Sequence, residues 1–219
     1  MIMKIGIVGG TGDIGEGIAM RLAPKYDVIV GSRDEARAQT SCECSISTLK
    51  NRGTACRTFK GATNQDAVSC ADVVILAIPF KNALATLEGL ECFEDKIVIS
   101  PINPMEKRDH FTFVPPGEGS AALMIRRILP KETRICSAFN TIAANKWKAL
   151  DEELTYSVPV CGDDAEAKKQ VMDIVNSVSK LQAFDAGPLA ASSMVEALTP
   201  LLLNIARYNK MRDVGIQFM

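Results

Sequence analysis

The glycines of the segment Gly10-x-Gly12-x-x-Gly15 have the spacing that lets a backbone loop bind a phosphate. Gly10 permits a tight turn, Gly12 lets the backbone approach the phosphate oxygens, and Gly15 lets the next helix pack closely. The first amide N–H groups of that helix would face the anion. An apolar strand around residues 5–8 precedes the motif and a helical apolar pattern follows it. The sequence therefore predicts that a dinucleotide pyrophosphate binds here, the alternative being a glycine-rich turn that binds nothing.

The end of the second apolar strand indicates which dinucleotide binds. Proteins that bind NAD usually place an acidic side chain there, where it holds the ribose hydroxyls. Here the strand ends in Ser32 and Arg33, and Arg37 lies one helical turn further on. These groups favour a 2′-phosphate, because arginine offers a fork of donors that matches phosphate oxygens. Asp34 is better explained as the cap of the next helix. We therefore predict NADP, with solvated helix charges as the alternative for the two arginines.

The remaining strand ends carry mostly apolar and neutral residues. Ligands of a doubly wound sheet bind beyond the carboxyl ends of its strands, which here continue into residues 78–80, 101–103 and 139–142. The only histidine, His110, lies in a predicted loop. An enzyme that oxidises an alcohol must move a hydroxyl proton and needs a positioned acid–base group. None stands out, which favours hydride exchange between two cofactor rings, since the cofactors supply that chemistry themselves.

Strand-like and helix-like segments alternate along the chain, and some strands, such as residues 72–77, are continuous apolar runs. Such runs are typical of parallel strands covered on both faces. The alternation predicts an α/β fold with a doubly wound, mostly parallel Rossmann sheet. We assign residues 1–150 to an NADP-binding Rossmann region and residues 151–219 to a small C-terminal α/β extension.

Three details of this assignment follow from local composition. The pattern predicts no strand between the second helix and a short helix at residues 64–70. Residues 100–119 are rich in proline and charge and are predicted to form a long loop. Pro159, inside a strand at residues 157–161, indicates an edge strand, because proline cannot donate to a ladder.

The composition argues against several classes of protein. A net charge of −1 argues against a nucleic-acid partner, and no apolar run approaches the ~20 residues needed to span a bilayer. The first strand begins so early that no room is left for a signal peptide. Seven cysteines without a Cys-x-x-Cys pattern indicate neither disulfides nor a zinc site. Asp163 and Asp164 are better explained as acids at a helix start than as metal ligands. We expect a cytoplasmic protein without a bound metal or a membrane partner.

The last long helix has apolar residues on more than one face. They include Leu201, Leu202, Leu203 and Ile205. A helix with this pattern buries one face in its own core and can bury another against a second subunit, so we expect a homo-oligomer.

Stretches along the whole chain resemble one family. In the first half they are residues 9–12, 30–33, 78–79 and 100–101; in the second half they are 158–164 (VPVCGDD), 185–189 (DAGPL), 198–205 (LTPLLLNI) and 215–218 (GIQF). The last three are the most specific. Together they resemble the NADP oxidoreductases that use the 8-hydroxy-5-deazaflavin coenzyme F420, found mainly in methanogenic and related archaea. The resemblance implies reversible hydride transfer between reduced F420 and NADP in a cytoplasmic homodimer or homotetramer.

The resemblance also implies roles for individual residues, none of them an acid–base catalyst. The pyrophosphate would bind Gly10, Thr11, Gly12, Asp13 and Ile14, and the 2′-phosphate would bind Ser32, Arg33 and Arg37. Ile78, Asn82, Asn103 and Ala144 would line the rest of the NADP cleft. The deazaflavin ring would lie against Asn140, Ile142 and Thr199. Residues 151–219 would complete its pocket and the subunit interface.

Asn140 departs from the family pattern, in which this position carries histidine. Asparagine can still donate a hydrogen bond to a ring carbonyl, but it does not titrate near neutral pH. A role that depends on a titrating side chain is therefore not expected here.

Two other functions remain open from the sequence. An NADPH-dependent reductase of flavins or metal ions could use the same cleft. A non-catalytic sensor of nicotinamide nucleotides would need the same loop but no second apolar pocket.

Overall fold

The computed structural model describes residues 2–219 as strands and helices that alternate around one large sheet. The strands are β1 (Lys4–Val8), β2 (Asp27–Ser32), β3 (Phe59–Thr63), β4 (Val73–Leu76), β5 (Ile97–Ser100), β6 (Met105–Lys107), β7 (Phe111–Phe113), β8 (Arg134–Ser137), β9 (Ser157–Gly162) and β10 (Gln182–Asp185). The α-helices are α1 (Asp13–Leu22), α2 (Glu35–Asn51), α3 (Asn64–Ser69), α4 (Phe80–Glu88), α5 (Ala121–Ile128), α6 (Ala144–Lys148), α7 (Ala165–Ser177) and α8 (Ser192–Tyr208). A short 3-10 helix, Leu189–Ala191, precedes α8.

Eight strands form the sheet, in the order β10-β9-β8-β5-β4-β1-β2-β3. Every neighbouring pair is parallel except β8 with β9. The strand order reverses between β1 and β4, which opens a crevice at the carboxyl edge of the sheet. The predicted doubly wound, mostly parallel α/β fold is confirmed. Strands β9 and β10, from the predicted C-terminal extension, continue the same sheet.

The sheet is covered on both faces, which explains its continuous apolar strands. One apolar layer lies under α1, α2, α6 and α7 and includes the fully buried Leu22 and Trp147. The other lies under α3, α4 and α5 and includes the buried Leu87 and Ile125. The two layers hold the sheet rigid, so the loops at its carboxyl edge start from fixed points.

Strand β3 was not predicted, because its sequence carries no apolar run. It pairs in parallel with β2 at the edge of the sheet and contains the exposed Lys60. Gly61 is needed there, since a Cβ would lie 2.2 Å from the backbone of Ala38 in α2. The strand is thus held by its neighbours and has little hydrophobic pattern of its own.

The long loop predicted at residues 100–119 is partly wrong, because it contains the β6–β7 hairpin. Each strand has only three residues and β6 is exposed, so neither shows a clear apolar pattern. A side chain from far along the chain supports the hairpin. Asn204 in α8 accepts a hydrogen bond from the backbone N–H of Phe111 at 2.8 Å and donates to its carbonyl at 2.7 Å.

The edge position predicted for the strand with Pro159 is also wrong, since β9 lies between β8 and β10. The carbonyls of Tyr156 and Val160 accept hydrogen bonds from the β10 side. Successive residues of a strand direct their backbone groups to opposite sides, so Pro159 faces away from β10. On that side β8 pairs only with Cys161 and Gly162. No ladder hydrogen bond is therefore lost at the proline.

Helix α8 is more apolar than the sequence pattern suggested. Together with the 3-10 helix it forms a 20-residue segment, Leu189–Tyr208, within which an 18-residue window has a mean hydropathy of 1.4. By length and composition alone this segment could cross a membrane. In the structure its polar side chains join it to the rest of the protein. Asn204 bonds the hairpin as described, and Glu196 accepts hydrogen bonds from the backbone N–H groups of Ala121 at 2.8 Å and Ala122 at 3.0 Å.

Glu196 should make the stability of the protein depend on pH. Its side chain is 0% exposed, and burial raises its pKa to about 7 from an ordinary 4.5. Between these values the folded protein keeps a proton that the unfolded chain releases. The free energy of unfolding contributed by Glu196 is therefore fully present below about pH 4.5 and lost as the pH rises to about 7.

We expect Glu196→Gln to lack this contribution, because glutamine does not titrate. Urea unfolding of both proteins at several pH values between about 4.5 and 8 tests it. The wild-type stability should fall relative to the variant as the pH rises. Two curves that stay parallel would contradict the assignment.

Candidate functional site

The glycine loop between β1 and α1 is arranged to receive an anion. Gly9 adopts a φ of +70°, and Gly10 donates to the carbonyl of Gly31 at 2.8 Å, which ties the loop to β2. A Cβ at Gly15 would lie 2.6 Å from Gly10, so glycine is needed there for packing. A Cβ at Gly12 would meet nothing closer than 3.6 Å. Packing within the protein would therefore allow a side chain at Gly12. Because glycine has no side chain, room is left for a ligand at the start of α1.

The start of α1 has no side-chain cap, because its N-cap residue is Gly12. The first amide N–H groups of a helix lack partners within it and carry the positive end of its dipole. The open side of the loop thus presents hydrogen-bond donors, as a phosphate requires.

Beyond β2 the side chains suit a second phosphate. Asp34 caps α2, accepting a hydrogen bond from the N–H of Arg37 at 3.2 Å, as its predicted role requires. Ser32 Oγ accepts from the N–H of Asp34 at 3.2 Å. Arg33 and Arg37 are exposed, and within residues 2–219 neither makes an ion pair. Their guanidinium groups are therefore available to an anionic ligand.

A cavity of about 800 Å³ connects the glycine loop with this cationic strand end. Of the residues predicted for NADP, it is lined by Thr11, Gly12, Ser32, Arg33, Arg37, Ile78 and Asn82. Three of the residues predicted for the pyrophosphate do not line it: Gly10, which is buried, and Asp13 and Ile14, which lie in the first turn of α1. The cavity also has lining residues that were not predicted, namely Gly9, Asp34, Thr63, Asn64, Gln65, Ala77, Pro79, Ala85, Thr86, Gly89 and Leu90.

Asn64 is the most informative residue that sequence reasoning missed. Its Oδ1 accepts the N–H of Gly9 at 3.1 Å, so α3 helps to hold the glycine loop. Thr63, the residue before it, caps α3 by accepting from the N–H of Asp66 at 3.0 Å. The Thr-x-x-Asp spacing is a helix-start signal that could have located this corner of the cleft.

The predicted residues Asn103, Asn140 and Thr199 meet at a second point of the same sheet edge. The carbonyl oxygen of Asn140 accepts from Asn103 Nδ2 at 3.0 Å and from Thr199 Oγ1 at 2.7 Å. The side-chain amide of Asn140 donates to Asn103 Oδ1 at 3.1 Å and to the carbonyl of Ile102 at 3.3 Å. Its Oδ1 accepts from Ser137 Oγ at 3.1 Å. Residues from β8, from the loop after β5 and from α8 are thereby joined.

The side chain of Asn140 is thus occupied within the protein. It is only 4% exposed, and both amide hydrogens already have partners. This arrangement makes Asn140 a residue that positions Asn103 and Thr199. The hydroxyl of Thr199 donates its one hydrogen to the backbone carbonyl of Asn140, and its lone pairs can still accept hydrogen bonds.

The residue before Asn140 adopts a strained backbone conformation. Phe139 has a φ of +68°, which is rare for a bulky side chain and costs about 1–3 kcal/mol. Its ring packs edge-on against the fully buried Trp147, with 5.3 Å between the centroids. Tight packing of the ring therefore sustains the turn that presents Asn140.

The last two predicted residues lie in the segment that follows. Ile142 is buried in the apolar layer under α1, and Ala144 is the half-buried first residue of α6. Helix α6 packs closely on α1, since a Cβ at Gly17 would lie 2.4 Å from the Cβ of Trp147. Lys148 also reaches the start of α1, 3.1 Å from Asp13 Oδ1. The segment after β8 is thus fixed to the helix that begins at the glycine loop.

The other reactive side chains lie away from this site or are held in an unreactive form. His110 lies in the turn of the hairpin and is exposed. Burial raises the pKa of Cys136 to about 12 and that of Cys161 to about 11, so both thiols stay protonated at neutral pH. Within residues 2–219 no cluster of histidine, cysteine or acidic side chains could hold a metal ion.

Comparison with known proteins places these features in a family. Residues 4–104 match the family model described as NADP oxidoreductase coenzyme F420-dependent. The F420-dependent NADP reductase of Methanocaldococcus jannaschii is 38% identical over 98% of this chain and 97% of its own length. This chain belongs to the F420-dependent NADP reductase family. The corresponding reductase of Methanothermobacter thermautotrophicus is 32% identical over 99% of this chain and 95% of its own length.

A solved structure agrees with the fold. The crystal structure of an Arthrobacter sp. FB24 protein, assigned as an F420-dependent NADP reductase, superposes with a TM-score of 0.80 over 99% of both chains. At 23% identity this likeness shows the shared α/β architecture alone.

Arg33→Ala should distinguish a 2′-phosphate site from a general anion site. Loss of a charge-assisted contact to phosphate should weaken NADPH binding roughly tenfold to a hundredfold, while NADH binding changes little. Titration calorimetry with both cofactors tests this. Arg57→Ala, at an exposed residue that precedes β3, is the matched control and should change neither affinity. An equal loss for NADPH and NADH would contradict the assignment.

Proposed function

We infer that this protein transfers a hydride reversibly between reduced coenzyme F420 and NADP. The observation that carries this inference is the full-length similarity to reductases whose names state both cofactors. It is supported by a cleft that has a helix start capped by glycine at one end and two exposed arginines, Arg33 and Arg37, at the other.

The residues of the cleft suit NADP. The pyrophosphate would bind the N–H groups at Thr11–Ile14, and the 2′-phosphate would bind Ser32, Arg33 and Arg37. Ile78, Asn82, Asn103 and Ala144 would line the remaining path toward the nicotinamide. The room left at Gly12 supports this fit, because protein packing alone does not demand a glycine there.

The deazaflavin would bind beside Asn140, Ile142 and Thr199. The two cofactors supply the hydride donor and the hydride acceptor. The protein's part is to bind both rings, to orient them and to exclude water. The hydrogen bonds that hold Asn103 and Thr199 on the Asn140 carbonyl fix one wall of this space. A displacement of about 1 Å can cost on the order of a hundredfold in rate, so this rigidity is itself a catalytic contribution.

A spectrophotometric assay tests the function against its two alternatives. Reduced F420 is mixed with NADP, with NAD, or with no nucleotide, and the deazaflavin absorbance is followed. We expect turnover with NADP that far exceeds turnover with NAD. Faster reduction of ordinary flavins or ferric ions by NADPH would favour the reductase alternative. NADPH binding without transfer to any acceptor would favour a sensor.

We also propose that the protein is a cytoplasmic homodimer or homotetramer whose partners are small-molecule cofactors, with neither nucleic acid nor membrane bound. The seven cysteines are free thiols, which fits a reducing compartment. Residues 151–219 would supply both the wall of the deazaflavin pocket and the subunit contact. Four exposed side chains on α8 support that contact: Met194 (68% exposed), Leu201 (53%), Ile205 (37%) and Tyr208 (67%). Their spacing of seven, four and three residues places them on one helix face.

Leu201→Lys should therefore weaken self-association, because it places a charge in the centre of this apolar face. Sedimentation velocity at micromolar concentration should show an oligomer for the wild type and a shift toward monomer for the variant. Leu84→Lys, at an exposed apolar residue of α4 (48% exposed), is the matched control. A monomeric wild type would refute the proposal.

A further inference from the structure

A set of cations lies at the far end of α8 and the β6–β7 hairpin, outside every role assigned so far. We propose that this end of the molecule binds the acidic tail of the deazaflavin coenzyme, an inference that rests on the proposed function. The set of cations consists of Lys107, Arg207 and Lys210, and we call it the cationic end. All three are exposed, and within residues 2–219 none of them makes an ion pair.

A row of side chains along one face of α8, which we call the ridge, leads from the site to the cationic end. Thr199, Leu203 and Arg207 follow one another at four-residue intervals on α8, so they lie on consecutive turns of nearly the same face. Thr199 bonds Asn140 at one end of this ridge. At the other end, eight residues or ~12 Å along the axis, Arg207 Nη1 donates to the carbonyl of Asp109 at 2.6 Å.

The hairpin runs beside this ridge from the same origin. Its chain leaves the site at Asn103, which bonds the Asn140 carbonyl, and its β7 strand is bonded to Asn204 of α8. Three-residue strands extend ~10 Å at about 3.3 Å per residue. The hairpin and α8 therefore leave the ring site side by side and end at a similar distance from it. A ligand with its ring at Thr199 and a chain of this length would reach the cationic end.

The charges at this end favour an anion. Arg207 uses one of its five N–H donors on Asp109, which leaves donors for a phosphate or carboxylate. Lys107 lies over the ring of Phe111, 5.8 Å from its centroid, and so is held at the hairpin turn. Two acids lie close by. Glu106 is paired with Arg108 at 2.8 Å, and the carboxylate of Asp109 offsets one cation. The three cations of the cationic end and the carboxylate of Asp109 together carry a net charge of +2.

The experiment compares two substrates that share a ring and differ in the tail. The wild type and the triple variant Lys107→Gln/Arg207→Gln/Lys210→Gln are assayed with NADP and one of two reduced substrates. These are F420 and the tail-less 8-hydroxy-5-deazariboflavin. We expect the KM for F420 to rise roughly tenfold in the triple variant. The KM for the tail-less compound, the KM for NADP and kcat should stay within about twofold. Lys50→Gln/Arg57→Gln, which removes two exposed cations elsewhere, is the control and should change none of these.

The salt dependence of the wild-type enzyme provides a second measurement that does not depend on the variant folding. The KM for F420 should rise with potassium chloride more steeply than the KM for the tail-less compound, because salt screens exposed charges. Equal effects of the triple variant on both substrates, or equal salt slopes, would overturn the proposal. Failure of the wild type to oxidise either deazaflavin with NADP would instead refute the proposed function.

Discussion

The arrangement of the site depends on one backbone carbonyl, that of Asn140. It accepts hydrogen bonds from Asn103 and Thr199, which come from segments that are otherwise separate. A buried carbonyl has two lone pairs to satisfy and loses free energy if they are left unpaired. The hydrogen bonds therefore fix the positions of the two donors, Asn103 and Thr199, and with them the loop after β5 and the helix α8. The β6–β7 hairpin follows that loop and lies along α8, where the side chain of Asn204 is hydrogen-bonded to the backbone of Phe111.

The parts of this fold that were predictable from sequence are those with local causes. The glycine spacing at Gly10–Gly15 has a steric reason that needs only β1 and α1, and the structure supplies the 2.6 Å approach that makes Gly15 necessary. Helix starts at Asp34 and Asp164 were predictable because each side chain caps an N–H only three residues away. Buried parallel strands were recognisable because both of their faces are covered.

The parts that were not predictable depend on distant partners. Strand β3 exists because β2 and α2 surround it, and its own residues, among them Lys60 and Gly61, read as a loop. The hairpin depends on Asn204, about 90 residues further along the chain. Pro159 indicated an edge strand, yet the ladder with β8 ends before reaching it. In the same way, the occupied amide of Asn140 could not be foreseen, because its partners Ile102 and Asn103 are remote in sequence.

These long-range contacts suit a reaction in which the protein moves no proton of its own. With both reacting groups supplied by cofactors, what remains for the chain is to hold two ligands in a fixed relation, which calls for stiffness more than for a titrating group. The backbone strain at Phe139 is consistent with this, since a strained turn persists only where packing over-determines it, here by the buried Trp147. Asparagine at position 140 fits the same logic. Its side chain is neutral at all relevant pH values, so the hydrogen bonds that it donates to Asn103 and to the carbonyl of Ile102 do not change as the pH changes.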